Sequence, residues 1–231
     1  MRIAKYIANA GYCSRRDAEK LIYKKKVFVN NKLCEAPYIN VTEKDKITIS
    51  GKIIKLEKKI SLWKLYKPTN IICTNKDPKK RKTIFDIIPK NFPRLISIGR
   101  LDYLSEGLIL LTNNGDFARK LELPSSNIPR VYRVCVNSNI KPWQLNMINS
   151  GLKIDGILYK KVEVKIEKIR KTQVWLKFKL REGKNREIRK ICQHFKWSIN
   201  KLIRLQYGSI KLIKEKPGQI KQLDQIPKDL L

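Results

Sequence analysis

Apolar positions along the chain switch from helical spacing to alternation and back, and the switches mark its elements. Ile3, Ile7 and Ala10, with Tyr6 beside them, share one helical face, and Gly11 ends that helix. Ser14 followed by Asp17 has capping-box spacing, with Asp where Glu is usual. It starts a second helix whose stripe is Ala18, Leu21 and Ile22. Lys24, Lys25 and Lys26 close that helix at the negative end of its dipole. Val27–Val29 reads as a strand, Asn30-Asn31 as a turn, and residues 46–50 as another strand ending at Gly51. The charged stretch 54–59 has no pattern of its own and reads as a linker. The chain is thereby divided into a small unit, residues 1–60, and a larger one, residues 61–231.

In the larger unit, residues 61–66 read as a strand stopped by Lys67-Pro68, and 95–98 as a short strand before Gly99. Residues 107–112 form an apolar strand. Asn113-Asn114-Gly115 then turns the chain, and Asp116 is read as the cap of a short helix carrying Phe117 and Leu121. Residues 131–136 are a strand, and Pro142 and Gly151 bracket a helix with Trp143, Met147 and Ile148 as its apolar positions. Val174, Leu176, Phe178 and Leu180 alternate with polar neighbours, as in a half-buried strand. Ile188, Ile191, Cys192 and Phe195 return to helical spacing. This mixture predicts an α+β fold around a largely antiparallel mixed sheet flanked by helices.

Composition adds a partner class. With 42% hydrophobic residues a real core can be buried, yet 52 Lys+Arg face only 20 Asp+Glu, a net charge of +32. A Lys-rich proteome would raise the acids too, so the excess reads as a footprint for phosphate backbones, ahead of an anionic membrane surface. No apolar run approaches the roughly 20 residues of a membrane span. The first ten residues lack the apolar core of a signal peptide, so the expected location is cytoplasmic. Five scattered cysteines without a CxxC pair suggest neither disulfides nor zinc, and all five read as small buried hydrophobes. His194 is the only histidine. No metal site is expected, and chemistry falls to carboxylates, Tyr, Lys or Arg.

Two constellations carry candidate chemistry. Arg15, Arg16 and Lys20 surround the second helix and Lys24, Lys25 and Lys26 its end, which makes either a phosphate-tracking surface or a solvated helix face. Residues 2–34, RIAKYIANAGYCSRRDAEKLIYKKKVFVNNKLC, resemble the S4 RNA-binding domain along their whole length. The turn is Asn30-Asn31 where that family usually has Asn-Gly, and Asn tolerates the left-handed conformation. The resemblance implies that residues 1–60 are an S4-like RNA-binding domain.

The second constellation is GRLDYLSEGLILLTNNG, residues 99–115. Asp102 follows Arg100 and Leu101 at a strand-to-loop junction between apolar strands, where a carboxylate must be solvated, hydrogen-bonded or paired with a cation. A turn aspartate, a structural ion pair and a catalytic acid all satisfy that. The segment resembles the catalytic-aspartate motif of pseudouridine synthases in the family of ribosomal small-subunit synthase A and large-subunit synthases B, E and F. The likeness continues, in order, through KPTNIICTNKDPKKRKTIFDIIP (67–89), RVYRVCV (130–136), REGKNREIRKI (181–191) and NKLIRLQYGSI (200–210).

The resemblance implies that residues 61–231 are a catalytic domain that isomerises a specific uridine of ribosomal RNA to pseudouridine, with an essential aspartate and no cofactor or metal. Asp102 takes the place of that aspartate, Tyr132 of the tyrosine that packs on the target base, and Arg189 of the basic residue that pairs with the acid. Leu202 or Ile203 takes an apolar pocket position. Arg100, Lys184, Arg186 and Lys190 join them as residues that hold substrate. Read without the family, Tyr132 shares a face with Val134 and Val136 and suits a core aromatic, and Arg189 suits a solvated helix face. Glu182 and Glu187 read as neutralising the basic loop between them, and His194 as a surface residue. The wording EGKNREIRK with NKLIRLQYG looks most like large-subunit synthase B, which implies 23S rRNA or an assembling ribosomal particle as partner and a monomeric enzyme. The alternatives are a 16S rRNA synthase, a non-catalytic RNA-binding or ribosome-assembly factor, and a charge-driven nucleoid or membrane-surface protein.

Overall fold

The alternation seen in the sequence becomes strands wherever one face has a core to meet. The computed structural model of the protein describes residues 1–57 and 59–231. The N-terminal part runs α1 (Ile3–Asn9), α2 (Arg15–Tyr23), β1 (Val27–Val29), β2 (Lys32–Leu33), β3 (Ile47–Ile49) and β4 (Lys52–Ile54). Ser14 caps α2 by accepting the Asp17 N–H at 3.1 Å. Asn30 and Asn31 both have positive φ, the geometry of a two-residue hairpin turn, and Val29 pairs with Lys32 across it. Ile3, Ile7, Ala18, Ile22, Val27, Ile47 and Ile49 close a small core of their own. The linker reading of 54–59 needs correction: Ile54 ends β4, and Leu56 still packs on this core. Of that stretch, Lys58 lies outside the described residues.

The remainder runs β5 (Leu62–Lys67), β6 (Ile96–Ile98), β7 (Glu106–Thr112), α3 (Gly115–Glu122), β8 (Arg130–Asn137), α4 (Pro142–Ser150), β9 (Leu152–Ile154), β10 (Ile157–Tyr159), β11 (Glu163–Arg170), β12 (Gln173–Leu180), α5 (Glu187–His194), β13 (Ser198–Tyr207), β14 (Ile210–Lys211) and β15 (Ile220–Gln222). Nine strands make one mixed sheet, ordered β11-β12-β8-β13-β7-β5-β15, with β14 on β13 and β6 on β7. Among the described residues, every pairing between strands of this sheet is antiparallel except β7 with β13, where Gly107 lies opposite Arg204. Gly107 has φ +111°, and an added Cβ would lie 2.3 Å from the Arg204 carbonyl oxygen, so the two halves of the sheet meet where only glycine fits.

Several local readings change. The cap of α3 is Asn114, whose side chain accepts the Asp116 and Phe117 N–H groups, because it sits one residue before the helix starts. Of the three apolar positions read in α4, Ile148 is buried while Trp143 and Met147 are exposed, and Leu145 packs on the core beside Ile148. Cys34, Cys135 and Cys192 are buried, but Cys13 and Cys73 are only half-buried. The sheet's central strand β13 and the β9–β10 hairpin go beyond the sequence reading, since neither has a clean alternation.

The two parts touch through the start of α3. Asp116 accepts Lys5 at 2.7 Å and Arg15 at 3.5 Å. Among the described residues, no helix is long and apolar enough to cross a membrane, and no cluster of three His, Cys, Asp or Glu residues is placed to hold a metal.

Candidate active site

The segment after β6 is turned and then pinned. Gly99 adopts φ +71°, and its N–H donates to Glu122 of α3 at 2.8 Å. Leu101 is buried, with its N–H on the Cys73 sulfur at 3.4 Å. The Asp102 carbonyl accepts the Ser105 N–H at 3.0 Å, and the Tyr103 carbonyl accepts the Asn70 N–H at 2.8 Å. These bonds leave the Asp102 side chain projecting into a cleft of about 1250 Å³.

Two guanidiniums meet Asp102 there, and both act on one oxygen. Arg189 Nε lies 3.1 Å and Arg186 Nη1 3.4 Å from Oδ2. Among the described residues, Oδ1 has no hydrogen-bond or ionic partner. Arg189 is the better fixed of the two: its side chain is 14% exposed against 53% for Arg186, and its Nη2 donates to Ser105 Oγ at 2.8 Å. Arg186 reaches Asp102 from a left-handed backbone conformation, φ +53°, at the residue before α5. A non-glycine residue in that region is uncommon and here sits at the cleft, as strained residues often do at functional sites.

Beneath the aspartate loop lies Lys67, fully buried, its Nζ donating to the carbonyls of Ser105 at 2.7 Å and Pro68 at 2.9 Å. Burial pushes its ammonium down to about 8, while Cys73, Asp102 and Glu106 nearby oppose that shift. Ser105 therefore joins Lys67 below to Arg189 above, and both hold the Asp102 turn.

The cleft walls come from distant parts of the chain. Arg100, Asp102, Tyr132, Lys184, Arg186, Arg189 and Leu202, singled out from the second constellation, line it; Lys190, also read as holding substrate, does not, because it follows Arg189 on α5 and the helix turns it to another side. Tyr132 does so while half-buried against the core, so both readings of it hold in part. Of the pair Leu202 or Ile203, the cleft takes Leu202. Lys184 contacts the Leu158 carbonyl and lies 5.4 Å over the Tyr159 ring. His194 is exposed and stands against Phe195, away from the cleft. Glu182 neutralises the loop as read, pairing with Lys160 at 2.6 Å and Lys184 at 3.3 Å. Glu187 instead is buried and accepts the Lys184 N–H at 3.2 Å; burial pushes its carboxyl up.

Sequence reasoning missed Cys73, Lys76, Arg81, Arg130 and Arg204, which also line the cleft. Cys73, Lys76 and Arg81 lie in the quoted segment 67–89, so motif membership was the available signal. Burial pushes the Cys73 thiol up. Arg81 hydrogen-bonds Asp77 and holds its carboxylate down to about 2. Arg204 is buried, its Nε on the Leu108 carbonyl and its Nη2 without a hydrogen-bond partner among the described residues.

None of the six basic residues of the first constellation lines this cleft. Arg16, Lys20, Lys24, Lys25 and Lys26 are exposed on and after α2, with Lys20 near Asp17 at 3.8 Å. Arg15 faces Asp116 of the larger unit.

Residues 61–194 match the family described as RNA pseudouridylate synthase, and residues 1–47 match the S4 domain. An uncharacterized RNA pseudouridine synthase of Rickettsia typhi is 47% identical over 96% of this chain and 91% of its own length. The ribosomal large subunit pseudouridine synthase B of Buchnera aphidicola subsp. Acyrthosiphon pisum is 37% identical over 92% of this chain and 88% of its own. Among solved structures, a pseudouridylate synthase crystal structure superposes with a TM-score of 0.69 at 21% identity, covering 96% of both chains, which shows the shared fold.

Proposed function

The chain belongs to the RNA pseudouridylate synthase family, and from that premise we propose that it isomerises one uridine of 23S ribosomal RNA, with Asp102 as the acting carboxylate. The observation that carries the reading is the asymmetry of Asp102: Arg189 and Arg186 hold Oδ2, while Oδ1 of this cleft-lining residue has no partner among the described residues. An oxygen without a protein partner, on a carboxylate that lines the cleft, is available to a bound substrate.

The reaction breaks the ribose C1′–N1 bond, turns the uracil and joins C1′ to C5. C5 releases a proton and N1 gains one, so atoms and electrons balance without oxidant, phosphate or cofactor. Asp102 serves through Oδ1, as nucleophile or as base. Its pairing through Oδ2 keeps the carboxylate oriented while Oδ1 works. The Tyr132 ring on the cleft wall offers the detached uracil a flat face. Leu202 closes the apolar side of the same wall. The uridine must leave its stack to reach Asp102, at about a few kcal/mol. Arg100, Lys184 and, at the same rim, Lys76 and Arg81 supply cations for the backbone that yields it.

The likeness to large-subunit synthase B relatives at 37% identity supports the 23S assignment over 16S. We assign residues 1–60 to RNA capture, with Arg16, Lys20, Lys24, Lys25 and Lys26 as its phosphate contacts, and residues 61–231 to chemistry, in a cytoplasmic monomer. Arg15 joins the capture surface only by releasing Asp116.

The test is to incubate wild type and Asp102→Asn with unmodified 23S and 16S transcripts and with pre-ribosomal particles, then map pseudouridine at nucleotide resolution. A single 23S site made by wild type and absent with Asp102→Asn, RNA binding being retained, is the expected result. A 16S site would move the substrate assignment, and an active Asp102→Asn would overturn the role of the carboxylate.

A further inference from the structure

The face of the sheet opposite the cleft holds a second basic surface. Along β8, Tyr132, Val134 and Val136 turn to the cleft and core, so Arg133, Cys135 and Asn137 turn the other way. Register extends that second face across four strands. Lys165 of β11 lies opposite Lys177 of β12, which lies opposite Arg133 of β8. In the next row Lys168, Trp175, Cys135 and Lys201 lie side by side on β11, β12, β8 and β13. Lys165, Lys168 and Lys201 are exposed, and Lys177 and Trp175 are partly so.

This is more than an ordinary solvated face. Like charges directly opposite one another destabilise a sheet, and Lys165, Lys177 and Arg133 occupy one continuous row. Among the described residues, Glu167 pairs with Arg133, but Lys165, Lys168, Lys177 and Lys201 have no acidic partner. The Arg133 guanidinium lies 4.5 Å over the Trp175 ring, making a flat platform at the centre of the cations. Apolar Ile166 and Ile169 of β11 pair with Leu176 and Val174 and so belong to the other face; no apolar patch is offered here for inserting into lipid.

We propose that this face docks the phosphate backbone of a helical arm of the substrate RNA, distinct from the arm that presents the uridine. The inference rests on the reading of the protein as an RNA-modifying enzyme. The cations are laid out in rows about 5 Å apart, strand to strand, on a rigid sheet. That suits repeated phosphate contacts without base reading, the mode in which duplex RNA is held by its shape and backbone. Because the cleft opens on the opposite face, an RNA engaged at both must pass round an edge or an end of the sheet.

The test uses the full chain and a variant carrying Lys165→Gln, Lys168→Gln, Lys177→Gln and Lys201→Gln. Binding to a complete 23S transcript, to a short hairpin carrying the mapped uridine and to phosphatidylserine vesicles is measured against salt. Loss of four phosphate contacts should lower the slope of log affinity on log salt by about 3 for the complete transcript, and weaken its binding at least about tenfold at low salt. Affinity for the hairpin and turnover on it should stay at wild-type values, and the melting temperature should hold or rise as the like charges are removed. An unchanged slope on the complete transcript overturns the proposal. So does an equal loss on the hairpin, which would place the reacting arm itself on this face. Loss confined to vesicles, or a lower melting temperature, also overturns it. Wild-type protein that forms no pseudouridine while the slope still changes would instead remove only the functional reading on which the inference is built.

Discussion

Replacing Arg189 with lysine keeps the charge beside Asp102 but removes the fork that grips two groups at once. In the native arrangement Nε holds Asp102 Oδ2 at 3.1 Å while Nη2 holds Ser105 Oγ at 2.8 Å, from a side chain that is 14% exposed. A lysine ammonium is a single point donor and meets one of these partners. The bond it gives up is charge-assisted and largely shielded from water, worth roughly 1.5–3 kcal/mol. At about 1.36 kcal/mol per decade this is about a tenfold to 150-fold loss in the single-turnover rate. Arg186 does not replace it, because its own contact is longer, at 3.4 Å, and its side chain is 53% exposed, where a pair contributes about 0–1 kcal/mol. The assay is release of tritium from C5-labelled uridine in the target RNA at saturating enzyme, since C5 loses its hydrogen when the new bond forms. RNA affinity, measured separately, should change less than about threefold, or about 0.6 kcal/mol. Ser105→Ala should reproduce part of the rate loss and should not add fully to Arg189→Lys, because both disturb one bonded unit of Ser105, Arg189 and Asp102. A variant with wild-type single-turnover rate, or one whose defect lies wholly in RNA affinity, would refute the claim that Arg189 orients the carboxylate.

Two further predictions concern the frame around the site. Gly107→Ala places a Cβ 2.3 Å from the Arg204 carbonyl oxygen at φ +111°, and should lower stability by about 3–5 kcal/mol. This is about 10 °C in melting temperature for a chain of this size, and calorimetry showing a shift under about 2 °C would contradict the close approach. Lys67 supplies a pH signature. Its folded value of about 8 lies below the ordinary 10.5, so below pH 8 the folded state carries a buried charge at a cost. Between pH 8 and 10.5 the folded lysine is neutral while the unfolded one still binds its proton, so stability rises with pH across that window. The unfolding free energy of wild type relative to Lys67→Met should climb by up to about 3 kcal/mol over the interval, and a flat difference in denaturant titrations at several pH values would refute the buried charge.

Local signals in the sequence decided a good deal of this molecule. Ser14 before Asp17, the paired asparagines at 30 and 31, Pro142 and Gly151 each act through their own backbone or a neighbour three residues away, and each ends or starts the element read from it. The alternation from Val174 to Leu180 marks a strand with one face in the core, because the side-chain period of a strand is two and only one face needs apolar cover. Asp102 stood out as a lone acid among apolar strands, and motif order along most of the chain attached Tyr132, Arg189 and Leu202 to it. Tertiary structure decided what no spacing carries. β13 lacks clean alternation because bulges at 199–201 and 204–206 shift its register, yet it joins the two halves of the sheet. Lys67 reads as a strand-ending lysine until burial reveals the two carbonyls that hold it. The pairing of Arg186 and Arg189 with Asp102 Oδ2, and the facing of Arg15 toward Asp116, come from residues 84 to 101 positions apart. Such contacts depend on where the completed sheet and helices bring side chains together, and a one-dimensional pattern holds no trace of that distance.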